Sequence, residues 1–330
     1  MTPPTVLVTG GAGYIGSHVV LALLDAGYPV VSVDDLSTGR RDAVAPAASF
    51  VEGDIGDVEL IAETIARHQV DAVMHFAGSV VVPESVADPL KYYLQNTCKS
   101  RGLIQACVEA GVRRFVFSST AAVYGSVGDG PVPESAPTLP ASPYGTSKLM
   151  TEWMLRDAAS AHDLTYAALR YFNVAGADPQ GRSGQSTPGA THLIKVACEV
   201  AAGRRSAMEI FGEDYETPDG TCVRDYIHVA DLAEAHLAAL RDLETRGRNL
   251  TLNCGYGRGY SVKQVLAAVE RVAGSPLEVR SGPRRPGDVA EIVADTTRIR
   301  EELGWQARHD DLDGIVRDAL AWERKLVSRP

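Results

Sequence analysis

The chain has 330 residues, of which 45% are hydrophobic and 22% charged, the proportions of an ordinary globular protein with one large domain or two modest ones. Its formal net charge of -10 argues against general binding to nucleic acid or to an anionic membrane, so an anionic ligand must be held by a few local cations. No segment approaches the ~20 uninterrupted apolar residues of a membrane span, and the N-terminus has no basic stretch of the kind that opens a signal peptide.

The first half alternates strands and helices. Residues 5–9 form a short β-rich run, 16–26 an amphipathic helix and 30–33 the next strand. A strand at 49–52, a helix around 60–68 and a strand at 72–76 follow. A helix is predicted over roughly 92–110, a strand at 114–118, a long Gly/Pro/Ser-rich loop from 125 to 143, and a helix over about 144–162. Near-continuous apolar strands between helices imply a parallel sheet buried on both faces. After Asn173 the pattern loosens into shorter, mixed elements, while strands at 166–169 and 250–253 are expected to return to the main sheet. The fold class is therefore α/β: a Rossmann-type doubly wound parallel sheet with a smaller, interleaved C-terminal substrate-binding domain. Residues 1–175 form the first domain, joined by segments near 230–257, and 176–330 mainly the second.

The five cysteines (Cys98, Cys107, Cys198, Cys222, Cys254) are scattered, with no CxxC pair or His/Cys cluster. They read as free thiols in a reducing cytoplasm, and no metal site is expected.

Thr9-Gly10-Gly11-Ala12-Gly13-Tyr14-Ile15-Gly16 joins the first strand to the first helix. Gly11, Gly13 and Gly16 satisfy GxGxxG, and Gly10, Gly13 and Gly16 satisfy GxxGxxG; such glycines allow a tight turn and let the backbone approach a pyrophosphate, which the helix N-terminus then attracts. A lone GxGxxG is a weak signal; between a strand and a helix it is much stronger. Asp34 and Asp35 end the second strand, where a carboxylate can accept from ribose hydroxyls and would repel a 2′-phosphate. With no Arg at that strand end, NAD is favoured over NADP. Asp54 and Ile55 after the third strand, near where an adenine would lie, and Phe76, Ala77 and Gly78 after the fourth also fall at strand carboxyl ends, where ligands of such sheets bind. Each of these segments alone could be a simple turn.

Tyr144 and Lys148, in Ser142-Pro143-Tyr144-Gly145-Thr146-Ser147-Lys148, lie four residues apart on one helix face. An ammonium beside a phenol favours phenolate and lowers a pKa that starts near ~10, making Tyr144 a candidate general base. Upstream, Ser118-Ser119-Thr120 ends a strand, and Thr120 would bring a hydroxyl to Tyr144; its alternative is a turn cap.

TGGAGYIGSH, HFAG, SSTAAVYG, SPYGTSK, LRYFNVAGA, FGEDY, DGTCVRDYIHVADLA and RRPGD follow one another in order. Across essentially its whole length the chain resembles the extended short-chain dehydrogenase/reductases, and among them the UDP-glucose 4-epimerase (UDP-galactose 4-epimerase) family. DGTCVRDYIHV is the most specific part; the glycine loop and YxxxK identify only the wider superfamily. The resemblance implies NAD retained through the cycle, with Tyr144 taking the proton of the sugar 4-hydroxyl while the C4 hydride passes to the nicotinamide. The 4-keto sugar turns, and the hydride returns to its other face. In this scheme Lys148 holds the nicotinamide ribose and Thr120 bonds the reacting oxygen. Tyr14, Ile15, Asn96, Ser118, Tyr171 and Phe172 join the cofactor site. Asn173, His192, Leu193, Phe211, Arg224, Arg285 and Asp288 hold the UDP-sugar, the two arginines on the diphosphate. For the arginines the alternative is surface charge or a structural ion pair, and for His192 a satisfied polar residue. A homodimer is implied, built through the helices near 92–110 and 144–162.

Several positions depart from the family's commonest pattern. Thr120 replaces a serine and keeps the hydroxyl. Val80 stands where many members carry a lysine near the cofactor, which predicts weaker NAD retention. Lys99-Ser100 replaces a Gly-Thr pair, a change expected to matter little to chemistry. Ile292 occupies the position thought to gate N-acetylated sugars, so UDP-N-acetylglucosamine stays open as a substrate, as does UDP-xylose. A 4,6-dehydratase would need an acid after Thr120, where Ala121 and Ala122 stand. A binding protein that senses NAD without turnover would not need Thr120, Tyr144 and Lys148 together.

Overall fold

The computed structural model describes residues 3–126, 128, 130–285 and 288–328, so residues 127 and 129 of the long loop and Pro286 and Gly287 of RRPGD lie outside the described residues. In chain order the first elements are β1 (Thr5–Thr9), α1 (Tyr14–Asp25), β2 (Val30–Asp34), β3 (Ser49–Glu52), α2 (Val58–His68) and β4 (Val70–His75). Then come α3 (Val82–Ala87), α4 (Pro89–Tyr92), a π-helix (Tyr93–Cys98), α5 (Lys99–Glu109), β5 (Arg114–Thr120), α6 (Pro143–Ala161) and β6 (Thr165–Tyr171). The remainder comprises β7 (Asn173–Ala175), α7 (Leu193–Ala201), β8 (Met208–Phe211), β9 (Val223–His228), α8 (Val229–Thr245), β10 (Leu250–Cys254), β11 (Gly259–Ser261), α9 (Val262–Ala273), β12 (Val279–Gly282), β13 (Glu291–Ile292), α10 (Thr297–Leu303) and α11 (Leu312–Val327).

Seven parallel strands form the main sheet in the order β10-β6-β5-β4-β1-β2-β3. Strand order reverses at β1, which opens a crevice beyond the carboxyl ends of β1 and β4, the usual ligand position in open α/β sheets. Alternate residues face opposite layers. Val6, Val8 and Met74 pack with Val19, Val20 and Leu23 of α1 and with Leu232 and Ala235 of α8. Leu7, Val73, Phe115 and Phe117 pack with Ile61 of α2, Leu103 of α5 and Leu155 of α6 on the other face. The strands are covered on both faces, which is why they read as nearly unbroken apolar runs.

Local chemistry sets the helix starts. Asp57 accepts from Leu60 N at 3.0 Å to cap α2, Ser142 accepts from Gly145 N at 3.2 Å with Pro143 opening α6, and Ser261 with Gln264 forms a capping box on α9. β9 sits at the centre of a second sheet, pairing with β11, β13 and β7, and β8 pairs with β12.

Two expectations are corrected. The helix over 92–110 is a longer helical run whose middle turn, Tyr93–Cys98, is π-helical. The elements after Asn173 are not uniformly short: α8 has 17 residues and α11 has 16. No helix among the described residues is long and apolar enough to cross a membrane.

Candidate active site

The glycine loop occupies the β1/β4 crevice. Gly10 has φ +70°, and a Cβ there would lie 2.7 Å from the Ala77 amide nitrogen. A Cβ on Gly16 would overlap the Gly10 carbonyl oxygen, so α1 closes onto the turn only through glycine. No side chain caps the first turn of α1, which leaves its N–H groups for an anion. This cradle fits a dinucleotide pyrophosphate. The Tyr14 hydroxyl donates to the Gly176 carbonyl at 2.7 Å, and Ile15 packs against the core.

At the end of β2 the buried Asp34 carboxylate accepts from Ala12 N and Leu36 N, both at 2.9 Å. Burial raises its pKa while those two bonds hold it down. The carboxylate therefore faces the turn, oriented to accept further donors. Ile55 is buried and Asp54 half exposed; Asp54 pairs with Lys99 Nζ at 2.5 Å. Phe76 and Ala77 are half buried, and Gly78 leaves room for Asn96 Oδ1. Asn96 is buried in the π-helix, where it accepts from Ser79 N at 2.8 Å and donates to the Ser79 carbonyl at 2.9 Å and Ser147 Oγ at 3.0 Å. It thus clamps the chain after Gly78. Val80 is exposed.

Thr120 ends β5 and Tyr144 opens α6, both buried. Thr120 Oγ1 accepts from Ala122 N at 3.2 Å to cap the following turn, and its hydroxyl favours the ionised form of the Tyr144 phenol. Ser118 Oγ donates to the Tyr171 hydroxyl at 2.9 Å, and burial raises the pKa of Tyr171. Lys148 is buried one turn beyond Tyr144, with Nζ 4.5 Å from the centre of the Phe117 ring. Burial lowers its pKa to about 7, opposed by the Glu152 carboxylate. The expected lowering of the Tyr144 pKa is not found: burial raises it, and the Thr120 hydroxyl only partly offsets that. In the protein alone Tyr144 is a neutral phenol.

Beneath these groups runs a buried polar network that sequence reasoning missed. Arg170 pairs with Glu152 through Nε at 2.9 Å and Nη2 at 2.6 Å, and Ser119 Oγ donates to the same carboxylate at 2.5 Å. Arg170 Nη1 also donates to the Tyr124 hydroxyl at 3.0 Å, which donates to Asn253 Oδ1 at 2.7 Å. Glu152 continues the stripe Tyr144, Lys148 at four-residue spacing, a signal that could have found it. The Lys99-Ser100 pair is also closer to the site than expected. Lys99 reaches Asp54, and Ser100 Oγ bonds His75 Nε2 at 2.7 Å, whose Nδ1 meets Thr9 Oγ1 at 2.7 Å.

The proposed UDP-sugar residues fall in two groups. Asp288 lies between Arg285, 2.9 Å from its Nε, and Arg224, 3.9 Å from its Nη2; the Arg285 guanidinium covers Phe211 at 4.8 Å. His192 and Leu193 begin α7, where His192 lines a cavity with Tyr14 and Gly176. Asn173 starts β7 after the half-buried Phe172. Ile292 ties the first group to the reaction residues. Its backbone pairs with Arg224, while its side chain packs with Ala121 and Leu149, the neighbours of Thr120 and Lys148. Among the described residues no three His, Cys, Asp or Glu side chains are grouped to hold a metal ion.

Residues 6–255 match the model of the NAD dependent epimerase/dehydratase family. A UDP-glucose 4-epimerase of Azospirillum brasilense is 61% identical over 98% of this chain and 93% of its own length. The UDP-glucose 4-epimerase of Brucella ovis, solved in complex with NAD, superposes with a TM-score of 0.94 at 44% identity, covering 97% of this chain and 98% of that one. The enzyme from Bifidobacterium longum, solved with NAD+ and UDP, gives 0.92 at 39% identity, covering 97% and 98%. With the dinucleotide cradle and the Thr120–Tyr144 pair in place, these matches establish that the chain belongs to the NAD dependent epimerase/dehydratase family.

Proposed function

We propose that the protein interconverts UDP-glucose and UDP-galactose at sugar C4 through a transient 4-keto sugar, with NAD bound throughout. The observation that carries this reading is the buried Thr120–Tyr144 pair at the carboxyl end of β5, beside a crevice shaped by Gly10 and Gly16 for a dinucleotide. NAD, when bound, supplies the hydride acceptor and a positive charge in that crevice. Tyr144 moves the proton of the 4-hydroxyl, and Thr120 orients the oxygen. Lys148, whose pKa is lowered to about 7, titrates near neutral pH and can offset a developing phenolate.

Gly10, Gly13, Gly16, Asp34, Asp54, Ile55, Phe76, Ala77, Gly78 and Ser118 would line the cofactor. Arg224 and Arg285 would take the diphosphate, with Asp288 released from their ion pairs to a ribose hydroxyl and Phe211 against the uracil. The relatives named for this reaction support the choice of substrate. Residues 1–175 with the segment near 230–257 act as the NAD-binding domain, and 176–330 mainly as the UDP-sugar domain, in a cytoplasmic enzyme. Val86, Leu90 and Leu94 on the α3–α4 and π-helical segment and Trp153 on α6 are exposed apolar side chains, and they support a homodimer formed through these helices.

Tyr144→Phe tests the mechanism. The variant should lose at least about 100-fold in kcat while still binding NAD, because only the proton-transfer group is removed. Unchanged turnover would remove Tyr144 from the reaction.

A further inference from the structure

We propose that Lys99 is a cofactor-positioning residue, whose ammonium fixes the Asp54 carboxylate at the adenine side of the dinucleotide site. This rests on the NAD-binding reading above.

Both oxygens of Asp54 are held: Oδ2 by Lys99 Nζ at 2.5 Å and Oδ1 by the Gly56 amide at 2.8 Å. Asp54 is half exposed just beyond the carboxyl end of β3, whereas the Lys99 side chain is only 13% exposed. The lysine is therefore the anchored partner and the carboxylate the presented one. The Lys99 stem lies along Gly56, where an added Cβ would sit 3.0 Å from Lys99 Cγ, so packing restricts its rotamers. Lys99 is also the first residue of α5, directly after the π-helical turn, a feature frequent at functional sites. Its neighbour Ser100 ties that turn to the Asn96 carbonyl at 2.5 Å and, through His75 and Thr9, to the strand that feeds the glycine loop. The same helical turn thus braces both the pyrophosphate end and the adenine end.

Charge points the same way. Asp34, Asp35 and Asp54 crowd the carboxyl ends of β2 and β3, where an anionic dinucleotide must come. Nearby cations are committed elsewhere: Arg40 to Asp42, and Arg41 to Glu52 and the Phe50 ring. Lys99 neutralises Asp54, and the resulting pair holds the Asp54 pKa down against burial. Val80 stands where many members carry a lysine near the cofactor, and Lys99 supplies a hold at the adenine end.

The test is calorimetric titration of cofactor-stripped wild type, Lys99→Met, Lys99→Arg, Asp54→Asn and the double variant Lys99→Met/Asp54→Asn. The probes are NAD and nicotinamide mononucleotide, which lacks the adenine. Lys99→Met and Asp54→Asn should each weaken NAD about three- to tenfold, the double variant no more than the weaker single, and Lys99→Arg should restore affinity. Mononucleotide affinity should be the same in all five proteins. Unchanged NAD affinity in Lys99→Met, or equal losses for both probes, overturns the proposal. No NAD binding by wild type overturns the functional reading and this proposal with it.

Discussion

Lys148→Met should make the protein more stable while making it inactive, and the pH dependence of the gain can be worked out in advance. Burial lowers the Lys148 pKa from 10.5 to about 7. At ~1.4 kcal/mol per pH unit this is a penalty of roughly 5 kcal/mol when both folded and unfolded forms are protonated, taken as a ceiling. The unfolded chain holds this proton more tightly than the folded one, so unfolding is favoured by protonation. The penalty is full below about pH 7 and lifts as pH rises toward 10.5. Between pH 7 and pH 9 it should fall by about 2 kcal/mol. Glu152, His75 and His236 act on the amine and are common to both proteins, so they largely cancel in the comparison. Urea unfolding of the NAD-free proteins should show the variant more stable at pH 7, with its advantage about 2 kcal/mol smaller at pH 9. Epimerisation should be lost at both pH values. An advantage that does not change with pH, or one that grows, would refute a buried, proton-linked Lys148.

Two further outcomes follow from the packing. Gly16→Ala places a Cβ onto the Gly10 carbonyl oxygen and should abolish NAD binding in calorimetry, with the fold retained by circular dichroism. Arg170→Met strands the buried Glu152 carboxylate and should cost about 3–5 kcal/mol in urea unfolding.

The Rossmann half was legible because its information is local. Strands β1 and β3 match the residues expected from apolar runs, and the glycine loop announces its own turn. The second half was harder. α8 is buried on 11 of its 17 residues, including Asp231, His236 and Asp242, so its polar positions do not mark a solvent face. The π-helical turn at Tyr93–Cys98 has no propensity signature and is held by tertiary bonds such as Asn96 Nδ2 to Ser147 Oγ. Of the site, YxxxK brought Tyr144 and Lys148 to one helix face, but the sign of the Tyr144 shift depended on how deeply both are buried. Spacing carries no burial term, which is why an ammonium four residues away was expected to prevail over desolvation. The Glu152–Arg170 pair and the Lys99–Asp54 pair join residues 18 and 45 positions apart, a proximity only the fold creates.

The central claim is C4 epimerisation by a protein that keeps its own NAD. The direct measurement is incubation of the purified protein with UDP-galactose, with no cofactor added, followed by quantitation of UDP-glucose. The account predicts UDP-glucose accumulating to a fixed ratio with UDP-galactose, reached from either side. No UDP-glucose, even after NAD is supplied, would contradict it.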